Sequence, residues 1–302
     1  MKWTRCSMAF AMALMLAGNC ATTRAATLFE DTYNRDDSRN IDASLAGITD
    51  NTGSSLAADA VYTQPFLDPG NDPGPQDGDA ANGGGAQVIG NALQLAVGAG
   101  TSNAYLNHNF TNGQILADGG LIVTMNVLET EGAAGNGGQG GAFALGMSAA
   151  EAASTGDAFN GHASGSPDPG FKYTGAFGPD GTVVSDFWIA LKADNNLQWG
   201  STGDSGIVSV GADGGEVAVR FDIGDFNAGT TVPFEVYYNG ASQGSGAFTW
   251  SGTDENYIAL DARDNGFVAF DSFAVQTIPE PGSMLLATFA AGLLAASRRR
   301  GC

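Results

Sequence analysis

In the stretch Val232, Phe234, Val236 and Tyr238, apolar residues recur at every second position, the spacing that places them on one face of a β-strand. Short apolar segments separated by turn-rich stretches fill the chain from Thr27 onward, and none sustains a helical period. The pattern predicts strands over Thr27–Tyr33, Ala92–Val97, Ala104–Phe110, Leu121–Leu128, Ala142–Met147 and Phe171–Phe177. Further strands are predicted over Val183–Lys192, Glu216–Ile223, Val232–Tyr238, Tyr257–Ala262 and Phe267–Gln276. Asn239-Gly240 directly follows one strand and Asp264-Asn265-Gly266 separates the last two. Both predict hairpin turns, because these residues accept positive φ. In Val183–Lys192, Phe187, Ile189 and Leu191 fall on one face and Trp188 on the other, so one set is exposed or meets a second layer. So many short strands in one chain predict an all-β, antiparallel two-sheet sandwich.

The two ends break this pattern. Lys2 and Arg5 precede an apolar run from Met8 to Ala17, which gives way to Thr23-Arg24-Ala25-Ala26. Basic, apolar, then small-residue is the order of a secretory signal. Residues 1–25 are therefore expected to form a signal helix, cut between Ala25 and Ala26 by signal peptidase after engaging the secretion machinery. Cys20 does not make the chain a lipoprotein, because Asn19 stands where a small residue is required. At the other end, Ile278-Pro279-Glu280-Pro281-Gly282-Ser283 leads into an apolar run from Met284 to Ala296, followed by Arg298, Arg299 and Arg300. The run is shorter than the ~20 residues of a stable membrane span. Its leucines, spaced with alanine, favour a short hydrophobic helix, and the three arginines favour the cytoplasmic side. The prolines around Glu280 stop the preceding strand and hold an extended segment.

In these residues, 278–302, the chain closely resembles the PEP-CTERM sorting signal. The resemblance implies export, transient membrane tethering, processing at or near Pro279-Glu280-Pro281 by an exosortase-type sorting protease, and delivery to the envelope, cell surface or extracellular matrix. Gly301 and Cys302 after the arginines depart from that pattern.

Composition supports strands and turns over helices: Gly is 45 of 302 residues and charged residues are only 15%. A hydrophobic content of 43% is enough for a packed core. The net charge of −20 is unevenly spread, since six of the twelve basic residues lie in the end segments. Over residues 26–277, six basic residues oppose 31 acids, a net of −25. Such a surface repels nucleic acid and anionic lipid. It suits a soluble exported domain, a calcium binder or a salty medium, and solubility alone accounts for it equally well. Cys6, Cys20 and Cys302 all lie in the end segments, so a processed chain would hold no thiol and no disulfide.

The edges of the central domain, residues 26–277, carry a second resemblance. Phe29-Glu30-Asp31-Thr32-Tyr33-Asn34-Arg35-Asp36-Asp37 at its start looks like an opening strand of concanavalin-like, laminin-G-type domains. Tyr257-Ile258-Ala259-Leu260 and Phe267-Val268-Ala269-Phe270-Asp271-Ser272-Phe273-Ala274-Val275 look like the closing strands. The resemblance implies a jelly-roll sandwich in which the first and last strands lie side by side.

Catalytic signals are few. His108 and His162 have no motif partner, no serine lies in a nucleophile elbow, and neither HExxH nor a phosphate-cradling loop occurs. The closely spaced Glu-x-Asp-x-x-Glu of concanavalin-like glycosidases is missing too. Asp68, Asp72, Asp77 and Asp79 sit within twelve residues among Gly and Pro, a candidate calcium loop, although a solvated insertion accounts for the same residues. Trp188, Trp199 and Trp250 are candidate sugar platforms if exposed and core residues if not. The expectation is a non-catalytic, exported β-sandwich that binds exopolysaccharide or serves as structural material; the alternative is a secreted glycoside hydrolase or lyase with an unrecognised site. If the tail is the sorting signal, replacing Pro279, Glu280 and Pro281 by alanine should leave the chain in the membrane fraction. Release at the unaltered rate, followed by immunoblotting of fractionated cells, would rule that reading out.

Overall fold

A computed structural model describes residues 25–37, 41, 60, 62–63, 85–97, 102–130, 140–154, 185–201, 204–262 and 267–278. The signal segment before Ala25, the tail from Pro279, the four aspartates Asp68, Asp72, Asp77 and Asp79, His162, the strand expected over Phe171–Phe177 and the turn Asp264-Asn265-Gly266 lie outside these residues. Among the described residues, no helix is long and apolar enough to cross a membrane. The strands belong to one compact unit, Thr27–Thr277.

That unit is an antiparallel two-sheet jelly-roll sandwich. The first sheet holds, in spatial order, β13 (Ala241–Thr249), β12 (Thr231–Tyr238), β11 (Gly215–Asp222), β6 (Gly120–Thr130), β15 (Val268–Thr277), β4 (Ala92–Val97) and β3 (Gly85–Ile89). Its eighth strand, β1 (Thr27–Asp31), also pairs with β15, so the first and last strands lie together. The second sheet holds β10 (Ser205–Ser209), β9 (Asn196–Ser201), β8 (Phe187–Lys192), β7 (Gly140–Met147), β14 (Tyr257–Ala262), β5 (Ser102–Leu106) and β2 (Tyr62–Thr63). Two short helices, α1 (Gly113–Ala117) and α2 (Ala149–Ser154), complete the described elements.

The alternating residues of β12 point where the pattern predicts, with Val232, Phe234, Val236 and Tyr238 buried. Asn239 and Gly240 both take positive φ and turn β12 into β13. The expected hairpin between the last two strands is corrected. β14 belongs to the second sheet and β15 to the first, so that connection crosses between layers. Its turn residues suit a sharp reversal, but β14 is already flanked by β5 and β7, and β15 finds its partners in β6, β4 and β1. Five strands were not legible as strands: β2, β3, β9, β10 and β13. The last reads Ala-Ser-Gln-Gly-Ser-Gly-Ala-Phe-Thr, a sequence of low intrinsic β-propensity that pairs because β12 offers it a complete ladder.

The core lies between the sheets. Phe187 of β8 stands at its centre, with ring centroids 5.0 Å from Phe221, 4.8 Å from Phe234 and 6.1 Å from Phe248, all three on the opposite sheet. A second tie between the layers lies at the N-terminal strand. Tyr33 and Tyr62 share a hydroxyl–hydroxyl hydrogen bond of 2.9 Å, and Phe29 meets Tyr62 edge to face at 5.7 Å. Tyr33 holds a left-handed φ of 55°, fixed by its N–H donating to Asp31 Oδ1 at 2.7 Å. The fully buried Asp31 carboxylate accepts from Arg35 Nη1 at 2.8 and 2.6 Å, and that guanidinium lies 5.4 Å from the Tyr33 ring centroid. Burial drives the hydroxyl pKa of both tyrosines well above the usual 10.0, so they stay neutral and bonded. Removing the cation would strand a buried carboxylate. Arg35→Ala is therefore expected to cost about 3 kcal/mol or more, and Tyr62→Phe about 1 kcal/mol, both read from urea unfolding of residues 26–277.

Candidate functional site

The three tryptophans are not open platforms. Trp188 and Trp250 are each 1% exposed and Trp199 is 6% exposed. Trp250 closes the end of the core against Phe226 and Phe248, and its indole N–H donates to the Asp225 carbonyl at 3.2 Å. Trp199 fills a slot whose walls are Gly206 and Gly244, where a Cβ at either position would collide with its ring. Trp188 leaves the core side of β8, as the alternation implied, but enters a second apolar cluster with Tyr105, Ala142, Ala144, Met147, Ala190 and Ala152 of α2. Both faces of that strand are thus buried. A large aromatic residue marks burial more often than exposure, and here all three follow that rule.

The open surface is the outer face of the eight-stranded sheet. Its inward residues are buried, while the alternate set on β6, β11 and β12 is half-buried or exposed. Cross-strand register aligns that outer set into rows. One row runs Ser242, Tyr237, Ala218, Thr124, Ala274 and Glu30 across six strands. At the usual strand spacing it spans about 24 Å. Beside it runs Ser245, Glu235, Arg220, Ile122 and Gln276. On its other side stand Glu216, Asn126 and Ser272. Ala218, Thr124 and Ala274 are the small members of the middle row, with Arg220 and Gln276 on one side of them and Glu216 and Asn126 on the other.

Local bonds fix those sides. Asn126 Nδ2 donates to Asp271 Oδ2 at 3.0 Å, Ser242 Oγ donates to Glu235 Oε1 at 2.7 Å, and Arg220 Nε donates to Asp222 Oδ1 at 2.9 Å. The Tyr237 hydroxyl hydrogen-bonds the Glu235 carboxylate, which raises the phenol pKa and, with Ser242, lowers that of the carboxyl. Amides, carboxylates, a guanidinium and one aromatic ring on a flat, wet face can exchange hydrogen bonds with a hydroxyl-rich ligand. Sequence reading looked for tryptophan and passed over these residues. The signal was present: the alternation that buries Val236 and Tyr238 turns Glu235 and Tyr237 outward.

A different group carries the clearest electrostatic perturbation. Asp186, just before β8, is 1% exposed, and burial pushes its carboxyl up from 3.8 to about 6. The Ser251 N–H, donating to Oδ2 at 3.0 Å, opposes the shift, and the charge of Glu151 adds to it. Gly146, at φ +78°, lies against the carboxyl group where no Cβ would fit. Its N–H donates to Asn256 Oδ1 at 3.0 Å, and Asn256 in turn donates to the Phe110 carbonyl at 3.1 Å. Glu151 is held by Ser148 in a reciprocal cap at the start of α2, with bonds of 2.7 and 3.2 Å. A carboxyl near pH 6 has the acidity of a general acid, but Asp186 is enclosed by backbone and reaches no open surface. Among the described residues, no three His, Cys, Asp or Glu side chains are grouped to hold a metal.

No protein-family profile matches this chain. No curated protein sequence matches it either. Among solved structures, it is similar to the Bacillus licheniformis β-glucanase, at 11% identity and a TM-score of 0.40 over 82% of this chain and 97% of that one. It is similar also to the seed lectin of Lotus tetragonolobus, at 10% identity and a TM-score of 0.40 over 84% and 99% of the two chains. The Emp47p carbohydrate recognition domain follows at 10% identity and a TM-score of 0.37, over 64% and 86%. Likeness at this level assigns no ligand and no activity. The fold rests on the strand pairing itself.

The raised Asp186 pKa sets a pH dependence. A carboxyl whose folded value lies above its unfolded value favours the folded state most below pH ~4, and that contribution is lost as pH rises through about 6. Asp186→Asn cannot ionise, so at pH 7–8 it should be more stable than the unaltered chain by about 2–3 kcal/mol. The gap should close below pH ~4, a trend to be read from melting curves across that range.

Proposed function

We propose that this chain is an exported protein, tethered briefly through its C-terminal tail and released to the envelope or extracellular matrix, where it holds polysaccharide without cleaving it. The observation that carries the binding role is the row from Ser242 to Glu30 and its polar flanks, continuous across six strands on a sheet face whose outward side chains are half-buried or exposed. Export is supported by the two end segments and by the confinement of all three cysteines to them. The net charge of −25 over residues 26–277 disfavours a polyanionic glycan and favours a neutral one. Arg220, Asn126 and Gln276 would donate to sugar oxygens, Glu235, Glu216 and Asp271 would accept from hydroxyls, and the Tyr237 ring would pack on the apolar face of a sugar.

Affinity electrophoresis of residues 26–277 through gels loaded with neutral or anionic polysaccharides tests this reading. Retardation by at least one neutral glycan is expected, falling about tenfold in affinity with Tyr237→Ala, in line with the loss of one well-packed aromatic contact. Equal mobility in every gel would refute binding. Release of new reducing ends from the same glycans would instead favour the glycoside hydrolase reading.

A further inference from the structure

β15 runs into the tail with almost no linker. Its last residue is Thr277, and the single residue Ile278 separates that strand from Pro279-Glu280-Pro281. The end of β15 is also an interior strand. On one side Val275, Gln276 and Thr277 pair with Val123, Ile122 and Leu121 of β6. On the other side Val275 and Gln276 pair with Phe29 and Thr27 of β1. Val275 and Thr277 are fully buried. Thr27 is the second residue after the expected signal cut, so the strand that opens the domain also clamps the strand that closes it.

A protease takes its substrate as an extended segment on both sides of the bond it cuts. Backbone committed to a ladder on both edges is withheld from such a cleft until the strand opens locally. A cut at Pro279-Glu280-Pro281 needs the residues before the motif, and Gln276 and Thr277 are engaged in pairing within the sandwich. Where opening is fast relative to cutting, the rate of cleavage follows the population of the open form.

We propose that β15 controls release of this protein: once the sandwich is complete, the tail is cut only while the end of β15 is open. The inference rests on the sorting reading above and adds its regulation. The covalent step is hydrolysis of one peptide bond, in which water supplies the hydroxyl of the new carboxylate and a proton to the new amine. A chain whose β1 and β6 have not yet closed on β15 is cut fast. A completed chain stays tethered longer, for a time set by the local stability of that strand.

Pulse-chase labelling of the full chain in cells that export it, fractionated into membrane-bound and released protein, tests the inference. Inserting Gly-Ser-Gly-Ser between Ile278 and Pro279 moves the motif away from the ladder on a flexible linker and leaves every strand as it is. Release should quicken about tenfold or more. Leu121→Ala removes the side chain of the residue paired with Thr277, at a position remote in sequence from the motif. It should speed release of the chain without the insert and leave the chain with the insert unchanged, because there the strand no longer limits the cut. An insertion that leaves the rate as it was, while alanine at Pro279, Glu280 and Pro281 still holds the chain in the membrane, would refute control by β15 and keep the sorting reading. Equal acceleration by Leu121→Ala with and without the insert would refute it as well, since general unfolding would then be the cause. Unaltered release of the triple-alanine chain would remove both readings together.

Discussion

Phe187 inserts its ring among Phe221, Phe234 and Phe248 of the facing sheet, and this contact turns two ladders of hydrogen bonds into one body. A sheet with one apolar face is unstable alone, and burial of that face against a second sheet is the principal gain of folding. Edge-to-face aromatic pairs add directional preference to that burial, so they fix how the sheets sit as well as holding them. With no cysteine between Ala26 and Thr277, no disulfide assists within that span. The Tyr33–Tyr62 bond and the Phe29–Tyr62 contact add a second tie, near the strand where the chain enters the sandwich.

Two of the three buried aspartates among the described residues, Asp31 and Asp186, show how the same residue serves opposite ends. Asp31 is joined to Arg35 and to the Tyr33 N–H, and its charge organises the left-handed turn after β1. Asp186 is held by the Ser251 N–H and faces the field of Glu151, so burial prevails and its proton is retained to higher pH. The first arrangement compensates a buried charge; the second tolerates one at a cost. Glu216, Asp222 and Glu235 lie instead on the outer sheet face, exposed or half-buried, where water solvates them.

Much of the sandwich was legible in the chain. Strict alternation in Val232–Tyr238 and the Asn239-Gly240 turn specify β12 and its reversal, because period-two burial and positive φ are local properties. The bracketing strands were legible for the same reason. β13 was not, since its glycines and serines carry little strand preference and become a strand only where β12 supplies the ladder. Asp264-Asn265-Gly266 misled because turn residues specify a change of direction without saying which sheet receives the next strand.

The sequence by itself determined the all-β class, the separation of a thiol-free acidic domain from two end segments that hold every cysteine, and which residues of each strand could face a core. These depend on composition, order and period, which are properties of the linear chain. Only the tertiary structure decided that Trp188, Trp199 and Trp250 are all enclosed, that Tyr237, Ala218, Thr124 and Ala274 lie in one row, and that β10 and β13 are the last described strands of their sheets. Each depends on which strand lies next to which and in what register. Those pairings join residues more than a hundred positions apart, and no local pattern encodes them.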